Sequence, residues 1–297
     1  MDLSPEIELI LLYPDLFHRN GHAKSRGTKE INSSMHTNTT NTTLPETAPY
    51  NGQPGESVLE IEHLRKSFGN NYVLKDITLR VAKGENLVVL GKSGIGKTVL
   101  IKCIVGLIAP DEGRVLVLGK HVFDLEEEEL NTLRMKIGFL FQGGALYDSM
   151  TVKENLEFLL RRQLRTRSKA AMQSMVEEAL YSVGLSDSID KMPSALSVSM
   201  RKRVGLARTL ILRPAIMFYD EPTSGLDPIT SREISRLIID MQEKYNTSSV
   251  IVTHDIECAR ITANRILIIH NGMCAAEGSY SELVNSADKL VRSFFEQ

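Results

Sequence analysis

Cysteine is scarce in this chain of 297 residues. The three present, Cys103, Cys258 and Cys274, lie far apart and lack the spacing of a metal site. Reduced, buried thiols are the expectation, as in a cytosolic protein. An excess of basic charge is also missing: 35 Lys and Arg face 37 Asp and Glu. That balance argues against a nucleic-acid partner. No apolar run approaches the ~20 residues that cross a bilayer. The nearest, Ile7 to Leu12 before Tyr13-Pro14, is too short and has no basic leader, so it is not read as a signal peptide. Any part that spans a membrane would have to come from other subunits.

Residues 21–56 are polar and low in complexity. Asn38-Thr39-Thr40-Asn41-Thr42-Thr43 sits in a stretch also rich in Ser, Gly and Pro. Such a segment buries too little apolar surface to order itself, and residues 1–56 are expected to be a disordered polar tail, with a short docking helix over 5–17 as the alternative. The folded part is expected over residues 57–297, long enough for an ample core.

What is there is organised around Gly91-Lys92-Ser93-Gly94-Ile95-Gly96-Lys97-Thr98. This octet fits G-x-x-x-x-G-K-[ST], a phosphate-binding loop. The apolar run Leu87 to Leu90 before it reads as a buried strand, and Val99 to Leu107 after it as a buried helix. Glycines let backbone N–H groups curl round an anion, and the helix N-terminus points partial positive charge at it. Lys97 can reach the β and γ phosphates of a nucleotide, and the Thr98 hydroxyl can bind Mg²⁺.

Strands and helices alternate along the rest of the folded chain. Val58 to Ile61, Val73 to Val81, Arg114 to Leu118, Ile137 to Phe141, Ala215 to Tyr219, Ser249 to Val252 and Arg265 to Ile269 read as strands. Asp124 is expected to cap a helix whose run Glu126 to Glu129 complements the helix dipole. Asn271-Gly272 reads as a hairpin turn. A terminal helix is expected over Ser281 to Phe295. Thr151 to Leu185 holds no proline and shows two helical segments, around 152–164 and 168–183. The basic cluster Arg161, Arg162, Arg165, Arg167 and Lys169 lies at their junction and reads as a solvated surface, with contact to lipid headgroups or an acidic partner as the alternative. Together these features predict a parallel sheet with the nucleotide at the carboxyl ends of its strands, and a helical subdomain inserted into that core.

Four further residues fall in order after the phosphate loop. Asp220 ends an apolar strand, as expected for an acid that holds Mg²⁺ in nucleotide hydrolases. Glu221 beside it is placed to orient or deprotonate a water. Gln142 and His254 each follow a strand, at the edge where a γ-phosphate would sit.

With these residues in this order, the sequence resembles the ATP-binding subunits of ABC transporters over about residues 57–297. Gly91 to Thr98 matches the Walker A motif and Ile216 to Glu221 the Walker B motif. Gln142 matches the Q-loop, Ser224-Gly225-Leu226-Asp227 the D-loop and His254 the H-loop. Phe68 falls where the family's aromatic residue stacks on adenine, with Tyr72 the weaker candidate. Leu196-Ser197-Val198-Ser199-Met200 falls at the signature. The resemblance implies an α/β fold. It would have a P-loop NTPase core of the RecA-like kind, an N-terminal antiparallel β subdomain and a helical subdomain over about 143–213. It also implies ATP and Mg²⁺ as cofactors, with Thr98, Gln142 and Asp220 serving the metal. Glu221 and His254 would be catalytic. Ser197, Ser199, Met200 and Asp227 would meet the ATP of a second copy in a head-to-tail dimer.

One branch resembles this sequence further. Phe141 to Val152 with Asn155, Met200 in place of the commoner Gln, and Asp227-Pro228-Ile229-Thr230 look like the ATPases of Mce/Mla-type lipid transporters. That likeness implies an integral membrane permease as partner, and an Mce-domain lipid-binding protein beyond it. The chain itself would be peripheral, on the cytoplasmic face of the inner (plasma) membrane.

The signature departs from the family pattern, in which Val198 and Ser199 are both glycine. The second glycine brings backbone close to the γ-phosphate of the other subunit, where a Cβ crowds it. A nucleotide-gated subunit with weak hydrolysis therefore stands as an alternative. The third reading is a soluble ABC protein of DNA repair or translation. Such proteins usually carry two cassettes or a long coiled-coil insertion, and this chain has neither.

Overall fold

The computed structural model describes residues 56–144, 146–163 and 168–296. The polar tail, but for Glu56, and the middle of the basic cluster lie outside the described residues. In chain order the elements are β1 (Ser57–Phe68), β2 (Asn71–Ala82), β3 (Asn86–Leu90) and α1 (Lys97–Ile104). Next come β4 (Glu112–Val117), β5 (Lys120–His121), α2 (Glu127–Arg134), β6 (Ile137–Leu140), α3 (Val152–Gln163) and α4 (Lys169–Ser182). The chain continues with α5 (Val198–Leu210), β7 (Ile216–Asp220), α6 (Pro228–Tyr245), β8 (Ser248–Thr253) and α7 (Ile256–Thr262). It closes with β9 (Arg265–His270), β10 (Met273–Gly278), α8 (Tyr280–Val284) and α9 (Lys289–Arg292).

Alternation of apolar side chains builds two cores from one strand. All five residues of β3 are buried. Val88 and Leu90 join a cluster with the helices of 152–262, while Leu87 and Val89 join one with α1 and β2. A strand buried on both faces belongs in the middle of a sheet. Accordingly β3 pairs in parallel with β8 on one side and β9 on the other. Strands β7 and β6 extend that parallel sheet beyond β8.

Strands β1, β2, β4 and β5 form a separate antiparallel ladder. It joins the parallel part through β10, whose Met273 pairs with Asp76 of β2. Asn271 and Gly272, both at positive φ, make the hairpin turn that leads from β9 to β10. Among the described residues no helix is long and apolar enough to cross a membrane. Cys103 and Cys258 are buried, and burial pushes their thiols up to about 12 and about 11.

Two local expectations fail. Asp124 is not a helix cap: it ends a short 3-10 turn, Val122–Asp124, and α2 begins after Glu126. The terminal helix is two short ones. Ser279 opens α8 with a reciprocal capping box to Glu282, and Asp288 caps α9 afresh. Ser, Asn and Asp between the apolar positions compete for backbone N–H groups and restart the helix.

Candidate functional site: a phosphate cradle at the strand ends

The loop 91–98 runs from the carboxyl end of β3 into α1. Gly96 sits just before the helix at φ 102°. A Cβ there would meet Val73 Cγ1 at 2.5 Å, so conformation and space both demand glycine. Lys97 is 5% exposed. Its ammonium donates to the carbonyls of Gly91 (2.6 Å) and Lys92 (3.1 Å) and lies 3.4 Å from Glu221 Oε1. The Thr98 hydroxyl donates to Asp220 Oδ2 over 3.1 Å. These two hard oxygen donors, side by side at the loop, are of the kind Mg²⁺ takes beside phosphate.

Glu221 is set by unusual backbone. It has φ 48°, a left-handed conformation that costs a non-glycine residue roughly 1–2 kcal/mol. Its amide donates to Val252 O over 2.9 Å, and its carbonyl accepts from the Ser224 amide over 3.2 Å. The carboxylate is gripped from the next strand. His254 Nδ1 lies 2.9 Å from Oε1, and the Thr253 hydroxyl donates to Oε2 over 3.2 Å. A carboxylate fixed this way, beside a buried ammonium and a phosphate cradle, can orient and polarise a water.

The expected residues thus fall into two groups. Gly91 to Thr98, Asp220, Glu221 and His254 converge at one place. Gln142 stands nearby in the loop after β6, its side-chain amide donating to Ser224 Oγ over 3.0 Å. The second group sits on other elements. Ser197 caps α5, taking the Met200 amide on its hydroxyl, while the Met200 side chain packs against the core. Asp227 caps α6; the Thr230 hydroxyl and amide, with the Ile229 amide, hold its carboxyl below the usual range. Phe68 ends β1 with Lys66 Nζ 5.4 Å from its ring centroid. Tyr72 pairs with Ser67, so it points to the opposite face from Phe68.

Two contributors escaped the sequence reading. Thr253 follows the strand read over Ser249 to Val252 and was given no role, and neither was Lys202, which stands between two arginines just after the signature. Lys202 is 3% exposed. A third residue is more than a marker: Asn155 is fully buried and fastens the loop after Gln142. Its side chain accepts the Tyr147 amide and donates to the carbonyls of Tyr147, Met150 and Thr151, all within 3.1 Å.

Residues 74–224 match the family model described as ABC transporter. This chain belongs to the ABC transporter family. Its fold is the mixed α/β fold of ABC ATPases, and it is an ATP-binding, ATP-hydrolysing subunit. The probable ribonucleotide transport ATP-binding protein mkl of Mycobacterium leprae is 37% identical over 236 residues, which is 80% of this chain and 68% of mkl. The methionine import ATP-binding protein MetN of Rhizobium johnstonii is 36% identical over 239 residues, 80% of this chain and 66% of MetN. This ABC cassette thus spans about two thirds of the length of those relatives. Among solved structures, the ATP-binding cassette MJ0796 in its dimeric post-hydrolysis state with ADP and Pi aligns at TM-score 0.68 and 31% identity. That match covers 75% of this chain and 98% of the other.

Proposed function

We propose that this subunit powers lipid transport of the Mce/Mla type from the cytoplasmic face of a membrane, docked on a separate permease. Two copies sandwich two ATP molecules head to tail. In each copy Lys97, Thr98 and the amides of the 91–98 loop hold the phosphates, and Phe68 stacks on adenine. Thr98, Asp220 and Gln142 serve Mg²⁺, which when bound offsets charge on the phosphate oxygens. Glu221 polarises the water, and His254 holds Glu221 and contacts the γ-phosphate. The dimeric MJ0796 cassette supports the pairing. The observation that carries the lipid reading is the loop from Phe141 to Val152, the stretch most like that branch, with Asn155 fastening it. The relatives' names speak of ribonucleotide and methionine transport, so the cargo test must set those side by side.

Crosslinks from the 146–150 surface in native membranes are expected to reach an integral membrane protein. In that purified complex, phospholipid is expected to stimulate phosphate release, with ribonucleotides and methionine without effect. Stimulation by either of the latter, and not by lipid, would replace lipid as cargo.

The altered signature should slow turnover. Val198 and Ser199 are the first two residues of α5, and Val198 is exposed. Neither has a positive φ, so their backbone makes no demand for glycine. What glycine would serve is close approach of the helix N-terminal amides to the other copy's γ-phosphate. One lost transition-state donor commonly costs about 10²–10³ in rate, and the hydroxyls of Ser197 and Ser199 recover part of it. The double change Val198→Gly, Ser199→Gly is therefore expected to raise phosphate release at saturating Mg-ATP at least about tenfold, or ~1.4 kcal/mol of barrier. Monomer affinity for ATP should stay nearly constant. A double variant no faster than the parent would show that the loop has adapted to its two side chains.

A further inference from the structure

Lys202 lies in the second turn of α5, on the face that Arg201 and Arg203 leave free. Arg201 donates back to Leu196 O (2.9 Å), and Arg203 reaches outward to Glu233 (2.7 Å). Lys202 turns inward. Its ammonium donates to Pro222 O over 2.8 Å and to Glu221 O over 3.3 Å. Burial pulls its pKa down to about 8, opposed by the charge of Glu221. An ammonium kept in so dry a place is costly unless its donors are well used. Here they are spent on two consecutive carbonyls of the turn that forces Glu221 into its left-handed conformation. The same helix is pressed against the loop after Gln142. A Cβ on Gly205 would stand 2.8 Å from Gly144 O, and one on Gly144 would stand 3.1 Å from Arg201 O. Packing that close leaves little room for α5 to move without moving what it touches.

We propose that Lys202 is a positioning residue for ATP hydrolysis, tying the signature end of α5 to the backbone that aims Glu221. The proposal rests on the reading of Glu221 as the group that polarises water. Through this tie, engagement of Ser197 to Ser199 by the other copy's nucleotide is transmitted to the carboxylate acting on this copy's own. Lys202 touches no nucleotide, so its loss should fall on the rate and not on binding.

The test is steady-state phosphate release by the full chain, well below each variant's unfolding midpoint. Lys202→Met keeps the stem and deletes the donors. It is expected to lower kcat at least about tenfold with KM for ATP within about twofold, the pattern of a group acting only in the transition state. Lys202→Arg restores donors and charge and is expected within about threefold of the parent. A purely structural lysine would lower the unfolding midpoint and leave this split and this rescue unseen. Full kcat in Lys202→Met overturns the proposal. So does an arginine variant as slow as the methionine one, or a KM that rises in step with the loss of rate. If Lys202→Met does not fold, Lys202→Gln decides by the same kcat and KM criteria. Undiminished turnover in Glu221→Gln would remove the premise instead, whatever Lys202 does.

Discussion

Glu221→Gln is expected to stop ATP turnover while leaving ATP binding intact. The replacement keeps the shape of the side chain and removes its charge and basicity. Thr253 and His254 still surround it, so the site should hold its form. Loss of a positioned general base commonly costs about 10²–10⁴ in rate, and phosphate release should fall by that factor. ATP then persists, and the variant should elute from size exclusion as a dimer when ATP is present. Undiminished phosphate release would take Glu221 out of the mechanism.

Lys97→Ala should act at the opposite step. In the proposed site the ammonium faces the nucleotide's phosphates, and its bonds to phosphate oxygens would be charge-assisted. Such bonds are worth roughly 1.5–3 kcal/mol, so affinity for Mg-ATP should fall about 10–150-fold by calorimetric titration. The carbonyls of Gly91 and Lys92 also lose their shared donor, so the loop's own shape is at stake. Equal affinities for parent and variant would sink the assignment of this loop to phosphate.

The parts of this molecule that the sequence disclosed share a property: their signal is local. A glycine-bounded octet between an apolar run and a helix needs no knowledge of the fold to be read. An acid at the end of Ile216 to Tyr219 announces itself the same way. Lys202 gave no such sign, because whether a lysine points to water or inward depends on what packs opposite it. Its inward course follows from the approach of α5 to the turn after β7, and those segments meet only in the folded chain. Thr253 was overlooked for a similar reason: it acts on Glu221 from a neighbouring strand. The capping errors arose where several Asp, Glu and Ser residues could each have stopped or started a helix.

The central place of β3 has a consequence for how the chain comes off the ribosome. The sheet partners of Leu87 to Leu90 lie in β8 and β9. The Asn86 amide is bonded to Asn264, which lies 178 residues further on. At about 5–20 residues per second, roughly 10–35 s separate the synthesis of the two. Throughout that interval the strand that carries the phosphate loop has no sheet to enter. The antiparallel ladder of β1, β2, β4 and β5 can close much sooner, since all four strands lie before residue 122. The nucleotide site is therefore among the last parts of this protein to be assembled, although its first residues are among the earliest to be made.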